Sequence, residues 1–241
     1  MNYYFITGTS KGIGKALAEL LLKDENNFIY GYSRTKSIKH ENYEHSELDL
    51  GNLEKVKDYV FPELSDAVSV TLVNNSAAGL DIKNLGKLSS ENIVNEYNVN
   101  IVSPTLLMNN FIKRFQHEKY KKMILNISSG AAYRAIESWS VYCASKAALA
   151  MISEVIDVEQ KLKFPDNPVH VFSVGPGVVN TQMQTKLRSV SPEDFSLVDK
   201  FKEYYEKNEL AEPSDIALKL EKLILSPKKY DKVALTVKDI S

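Results

Sequence analysis

The chain of 241 residues has a single cysteine, Cys143, and only four histidines, His40, His45, His117 and His170. One cysteine excludes an intramolecular disulfide and any multi-cysteine metal site. The histidines lack paired ligand spacing, which assigns them to structure or surface. An excess of one charge is also missing: 30 Lys and Arg face 31 Asp and Glu, a formal net charge of −1. With no Lys/Arg run, nothing attracts nucleic acid or an anionic membrane surface. No stretch approaches the roughly 18 uninterrupted apolar residues of a membrane span. The start, MNYYFITGTSKG, lacks the basic and apolar segments of a secretory leader. Repeats and low-complexity linkers are absent as well. These absences predict a cytoplasmic protein of one domain, residues 1–241.

What is present is an alternation of short apolar runs and longer amphipathic stretches. Candidate strands fall at 3–7, 28–33, 44–48, 68–74, 122–127, 169–174 and 233–237. Candidate helices fall at 13–23, 52–60, 91–115, 142–161 and 214–225. Several strands are almost continuously apolar, as strands covered on both faces are. The predicted fold is α/β: one Rossmann-like doubly wound domain, a mostly parallel seven-stranded sheet with helices on both faces. Ligands of such sheets lie beyond the carboxyl ends of the strands.

The first strand runs into Gly8-Thr9-Ser10-Lys11-Gly12-Ile13-Gly14. Glycines permit a tight turn and close approach of backbone to a phosphate, and the N–H groups of the following helix start attract the anion. The spacing G-x-x-x-G-x-G meets the needs of a dinucleotide turn, although a ligand-free strand–helix turn has the same composition. An acid after the second strand would bind the ribose hydroxyl of NAD. Residues 28–36 hold no acid and end in Ser33-Arg34-Thr35-Lys36. Arg34 suits a fork on a 2′-phosphate and Lys11 a second positive charge, unless both are ordinary surface cations. The pair favours NADPH/NADP+ over NADH. Asp49, past the third strand, is placed either to bind the adenine amino group or to cap a helix.

Tyr142 and Lys146 stand four residues apart in a predicted helix, downstream of Ser128-Ser129 at a strand end. A free phenol titrates near 10, a poor acid–base catalyst at neutral pH. A positive charge ~4 Å away contributes about 4 kcal/mol at an effective dielectric of ~20. That is roughly 3 pKa units, which brings the phenol toward about 7 before desolvation is counted.

With these motifs the chain resembles the short-chain dehydrogenase/reductase family over nearly its whole length. The resemblance is carried by TGTSKGIG at 7–14, NNSA at 74–77, Asn100 in NVNIVSP, Ser129 in NISSG, Tyr142 and Lys146 in YCASK, and PGVVNT at 176–181. One departure is Ala77, where the family usually has glycine. The resemblance implies Tyr142 as proton donor, Ser129 bonded to the substrate oxygen, Lys146 on the nicotinamide ribose, and Asn100 holding a water that links Lys146 to solvent. It implies a cofactor site from Gly8, Ser10, Lys11, Gly12, Ile13, Gly14, Arg34, Asp49, Asn75, Tyr142, Lys146, Pro176, Gly177, Val179 and Thr181. Residues 182–197 then read as a substrate lid or a surface helix, and Trp139 and Tyr133 as pocket lining or structure.

Residues 176–184, 188–195 and the closing LTVKDI look most like the sepiapterin reductase and benzil reductase branch. The acid that anchors a pterin there falls near Thr236, with Asp239 close by. The resulting expectation is an NADPH-dependent carbonyl reductase of a small ketone or α-dicarbonyl, working as a homodimer on a small molecule. The alternatives are a sepiapterin reductase or a non-catalytic NADPH-binding regulator.

Overall fold

The structure is a computed structural model and describes residues 1–78 and 81–241. Its strands are β1 (Asn2–Thr7), β2 (Asn27–Tyr32), β3 (Tyr43–Ser46), β4 (Ser69–Asn74), β5 (Lys121–Ile127), β6 (Val169–Gly175) and β7 (Ala234–Thr236). The helices are α1 (Gly12–Leu21), α2 (Leu53–Lys57), α3 (Ser90–Tyr97), α4 (Ser103–Phe115), α5 (Ser140–Lys163), α6 (Gln182–Arg188), α7 (Val198–Glu206) and α8 (Pro213–Leu225). All seven strands join one sheet in the order β3-β2-β1-β4-β5-β6-β7, and each neighbouring pair is parallel. The order reverses between β1 and β4, so the ends of those strands open the crevice of a doubly wound sheet.

The pleat of β1 sorts the core into two layers, since successive side chains leave opposite faces. Tyr4 and Ile6 pack with Leu17 and Leu21 of α1 and with Ile216, Leu220 and Leu223 of α8. Phe5 points the other way, onto Val56 of α2, Leu107, Phe111 and Phe115 of α4 and Leu149 of α5. Apolar residues on both faces are why these strands read as continuous runs. A third cluster lies off the sheet and holds Trp139, Tyr142, Leu187, Phe195, Val198 and Phe201.

Residues 91–115, expected as one helix, divide into α3, a π-turn at Asn98–Val102, and α4. Pro104 has no N–H to offer the carbonyl of Asn100, so the α-ladder opens there. Helix α6 occupies the first part of the stretch read as lid or surface helix, and α7 begins just past its end, at Val198.

Candidate active site

At the end of β1 a hydrogen-bonded clamp forms the glycine turn. The Thr7 hydroxyl oxygen accepts from the backbone N–H groups of Asn75 and Ser76, each at 3.0 Å. The Asn75 amide donates to the carbonyls of Thr7 (2.9 Å) and Gly8 (3.4 Å). Gly8 and Gly12 take φ of 77° and 59°, a region that side chains disfavour. A Cβ on Gly14 would lie 2.5 Å from the Gly8 carbonyl and collide with the Asn75 amide. The Thr9 hydroxyl bonds the phenol of Tyr43 at 2.8 Å, tying the turn to β3.

Helix α1 opens with no acid in its first turn and no side-chain cap at Lys11. Its free N–H groups and partial positive charge therefore fit a phosphate. Ser10 makes no side-chain hydrogen bond among the described residues, and Ile13 packs on the core. Lys11 reaches across to the Gln182 side chain at the start of α6. Arg34 is exposed just past β2 and enters no ion pair among the described residues. Asp49 does not cap a helix. Its carboxylate accepts from the Gly51 N–H at 2.9 Å, a local turn, and Asn52 takes the cap position of α2.

Residues 176–181 leave β6 and are pinned to the far loop, with Asn180 N–H donating to Ala211 at 2.9 Å and Ala211 N–H to Val178 at 3.0 Å. Pro176 and Gly177 sit at the rim of this turn. The Val179 side chain is buried in the core beside α8. Thr181 starts α6, and its methyl lies 3.5 Å from where a Cβ on Gly12 would be.

The second half of the site follows β5. Ser129 takes extended backbone, and its hydroxyl accepts from the Ala131 N–H at 3.1 Å, starting the short turn Gly130–Tyr133. Tyr142, in the first turn of α5, is buried edge-on against Trp139 at 5.7 Å. One turn later the Lys146 ammonium stands 5.8 Å from the Tyr142 ring centre and donates to the Ile127 carbonyl at 2.9 Å. Asn100 in the π-turn accepts from the Ala78 N–H at 2.9 Å and donates to the Ser145 hydroxyl at 3.3 Å. The Ser145 hydroxyl in turn donates to the Tyr142 carbonyl at 2.9 Å. One polar chain thus joins the β4 loop, the π-turn and the first turns of α5.

Electrostatics here run opposite to the sequence-based expectation for the phenol. Burial pushes Tyr142 up to about 12; the Ser129 hydroxyl opposes the rise and the Glu96 carboxylate adds to it. Burial pulls Lys146 down to about 8, against the pull of Glu96. The reason is geometric. Tyr142 is 7% exposed and Lys146 2%, so both lose hydration, and the ammonium is directed at a backbone carbonyl.

Next to Tyr142 rises an aromatic wall: Trp139 stacks on Phe195 at 5.7 Å, and Phe201 lies within 6 Å of both. Tyr133, read as an equal candidate for pocket lining, is 66% exposed and outside this wall. The Asp239 carboxylate is taken by the N–H and hydroxyl of Thr236, both at 2.7 Å. Tyr43 and Glu96 had no motif to mark them, and Thr7, Thr9 and Ser145 lie inside motifs that assigned them no role.

The sequence and the fold are shared with known proteins. The family model described as short chain dehydrogenase matches residues 2–191. A benzil reductase ((S)-benzoin forming) of Bacillus subtilis is 36% identical over 223 residues, covering 90% of each chain. The enzyme of the same name from Bacillus cereus is 32% identical, covering 93% of this chain and 94% of its own. Among solved structures, a short chain dehydrogenase/reductase of Saccharomyces cerevisiae superposes with a TM-score of 0.85 at 22% identity, over 99% of this chain and 97% of its own.

Proposed function

Because the chain belongs to the short chain dehydrogenase family, oxidoreductases of C=O and CH–OH groups that use nicotinamide cofactors, we propose that it is an NADPH-dependent carbonyl reductase of a small, apolar ketone or α-dicarbonyl, with Tyr142 as proton donor. The observation that carries this reading is the meeting of Ser129, Tyr142 and Lys146 beside the Trp139–Phe195–Phe201 wall. The benzil reductase relatives point to this substrate class.

In this reading the glycine turn and the start of α1 hold the pyrophosphate, and Arg34 forks the 2′-phosphate. Lys146 binds the ribose. Ser129 donates to the carbonyl oxygen and fixes the substrate. The bound nicotinamide supplies the hydride that the carbonyl carbon accepts. As the C=O π bond breaks, the phenolic proton of Tyr142 passes to the oxygen, which leaves an alcohol and a phenolate facing the Lys146 ammonium. A phenol held at about 12 is fully protonated at neutral pH, the form a reductase needs, and is still far more acidic than an alcohol.

An exposed apolar stripe on α5, Met151, Val155, Val158 and Leu162, supports a homodimer with its contact there. The test is the loss of NADPH absorbance with benzil, a mixed aryl-alkyl diketone, sepiapterin and a simple aldehyde, repeated with NADH. Turnover of the diketones with NADPH is expected. Turnover of sepiapterin alone would select the pterin reading. Tight NADPH binding with no turnover of any carbonyl would leave a regulator.

A further inference from the structure

Glu96 is the only acid among the buried side chains of the described residues, 5% exposed. It lies on α3 one helical turn before Asn100. One turn earlier on the same face, the Asn92 amide donates to Asp81 at 2.7 Å, which sets this face against the loop after β4. Helix α3 also packs on α5. A buried carboxylate ordinarily takes a cation or several N–H donors. Among the described residues Glu96 has no ion pair, and its Oε1 is buried without a hydrogen-bond partner.

The charges facing Glu96 come from three elements. Asp81, from the loop after β4, repels its negative form; Lys186 of α6 and Lys146 of α5 attract it. Asp81 is itself paired with Lys83 at 3.8 Å. Tyr142 of α5 feels Glu96 as well. A core left with an unpaired acid beside the two groups that handle the proton is a costly arrangement, and packing alone does not call for it.

We propose that Glu96 is a positioning residue for the reaction, its buried, unpartnered carboxylate keeping the Lys146–Tyr142 pair protonated and so extending reductase activity to higher pH. This inference rests on the reductase reading above. A negative charge here stabilises the Lys146 cation and destabilises the Tyr142 phenolate, and both effects retain protons. Burial holds the Glu96 carboxyl itself at about 7. The support therefore operates above that pH and fades below it, where the acid is neutral.

Glu96→Gln keeps the shape and removes the charge. With kcat profiles normalised to their own acid-side plateaus, the alkaline limb of the Gln variant is expected about half to one pH unit lower than wild type. Glu96→Asp, which keeps a carboxylate, is expected to regain part of that limb. Coincident profiles overturn the proposal, as does an equal displacement in the Asp and Gln variants, which would mean that shape rather than charge matters. NADPH binding followed by fluorescence is a second readout, because it senses Lys146 without turnover. The Gln variant is expected to lose affinity more at pH 8 than at pH 6, and an equal loss at both overturns the proposal. A wild-type chain that turns over no carbonyl but shows this binding pattern refutes the reductase reading and leaves the charge effect standing.

Discussion

Gly31→Ala tests how the nucleotide turn is supported from two strands away. Gly31 sits in β2, paired with Ile6 of β1 and His45 of β3. An added Cβ would lie 2.5 Å from two ring carbons of Tyr43 and closer still to its hydroxyl. Tyr43 is 6% exposed, so the ring has no free space to enter. Overpacking of this kind costs about 1–3 kcal/mol. The displaced phenol also gives up its bond to Thr9, about 1 kcal/mol more. A total of about 3 kcal/mol, with an unfolding entropy of about 0.5 kcal/mol/K for 241 residues, lowers Tm by roughly 6 °C. Because Thr9 belongs to the glycine turn, NADPH affinity should fall as well. Calorimetry and a fluorescence titration measure the two effects. Adding Tyr43→Leu to the same chain removes the ring, and the pair should cost about 1–2 kcal/mol less than the sum of the single changes. An unchanged Tm together with unchanged NADPH affinity would refute the reasoning.

Tyr142→Phe should keep NADPH binding and lower kcat at least ~100-fold in the diketone assay; near-normal turnover would remove Tyr142 as proton donor. Arg34→Ala should weaken NADPH roughly 10-fold or more and NADH hardly at all, since only the former presents a 2′-phosphate to the guanidinium. Competitive binding of the two nucleotides measures the ratio, and equal losses would reject the role. Leu220→Ala empties a fully buried position between α8 and the sheet and should cost about 2–5 kcal/mol in denaturant unfolding with little change in KM.

Much of the layered sheet was legible because periodicity records burial. The apolar runs at 3–7, 68–74, 122–127 and 169–174 correspond to central strands with neighbours on both sides and helices on both faces. The break inside 91–115 was signalled only by Pro104, whose missing N–H opens the π-turn at Asn100. Helices α6 and α7 were harder to see. Their apolar residues Leu187, Val198 and Phe201 are sparse, and they are buried by one another and by Trp139 rather than by the sheet.

The glycine turn, the Tyr142–Lys146 spacing and the alternation of strand and helix are local properties, set by backbone sterics and side-chain period, and the sequence by itself determined them. The protonation of the site is not local. Whether a lysine four residues on acidifies a phenol depends on how much water both retain and on where the ammonium points. The fold buries both groups, directs Lys146 to the Ile127 carbonyl and sets the carboxylate of Glu96 near them. Tertiary structure alone decided that desolvation outweighs the attraction between neighbours, because burial belongs to the assembled core and to no segment of the chain.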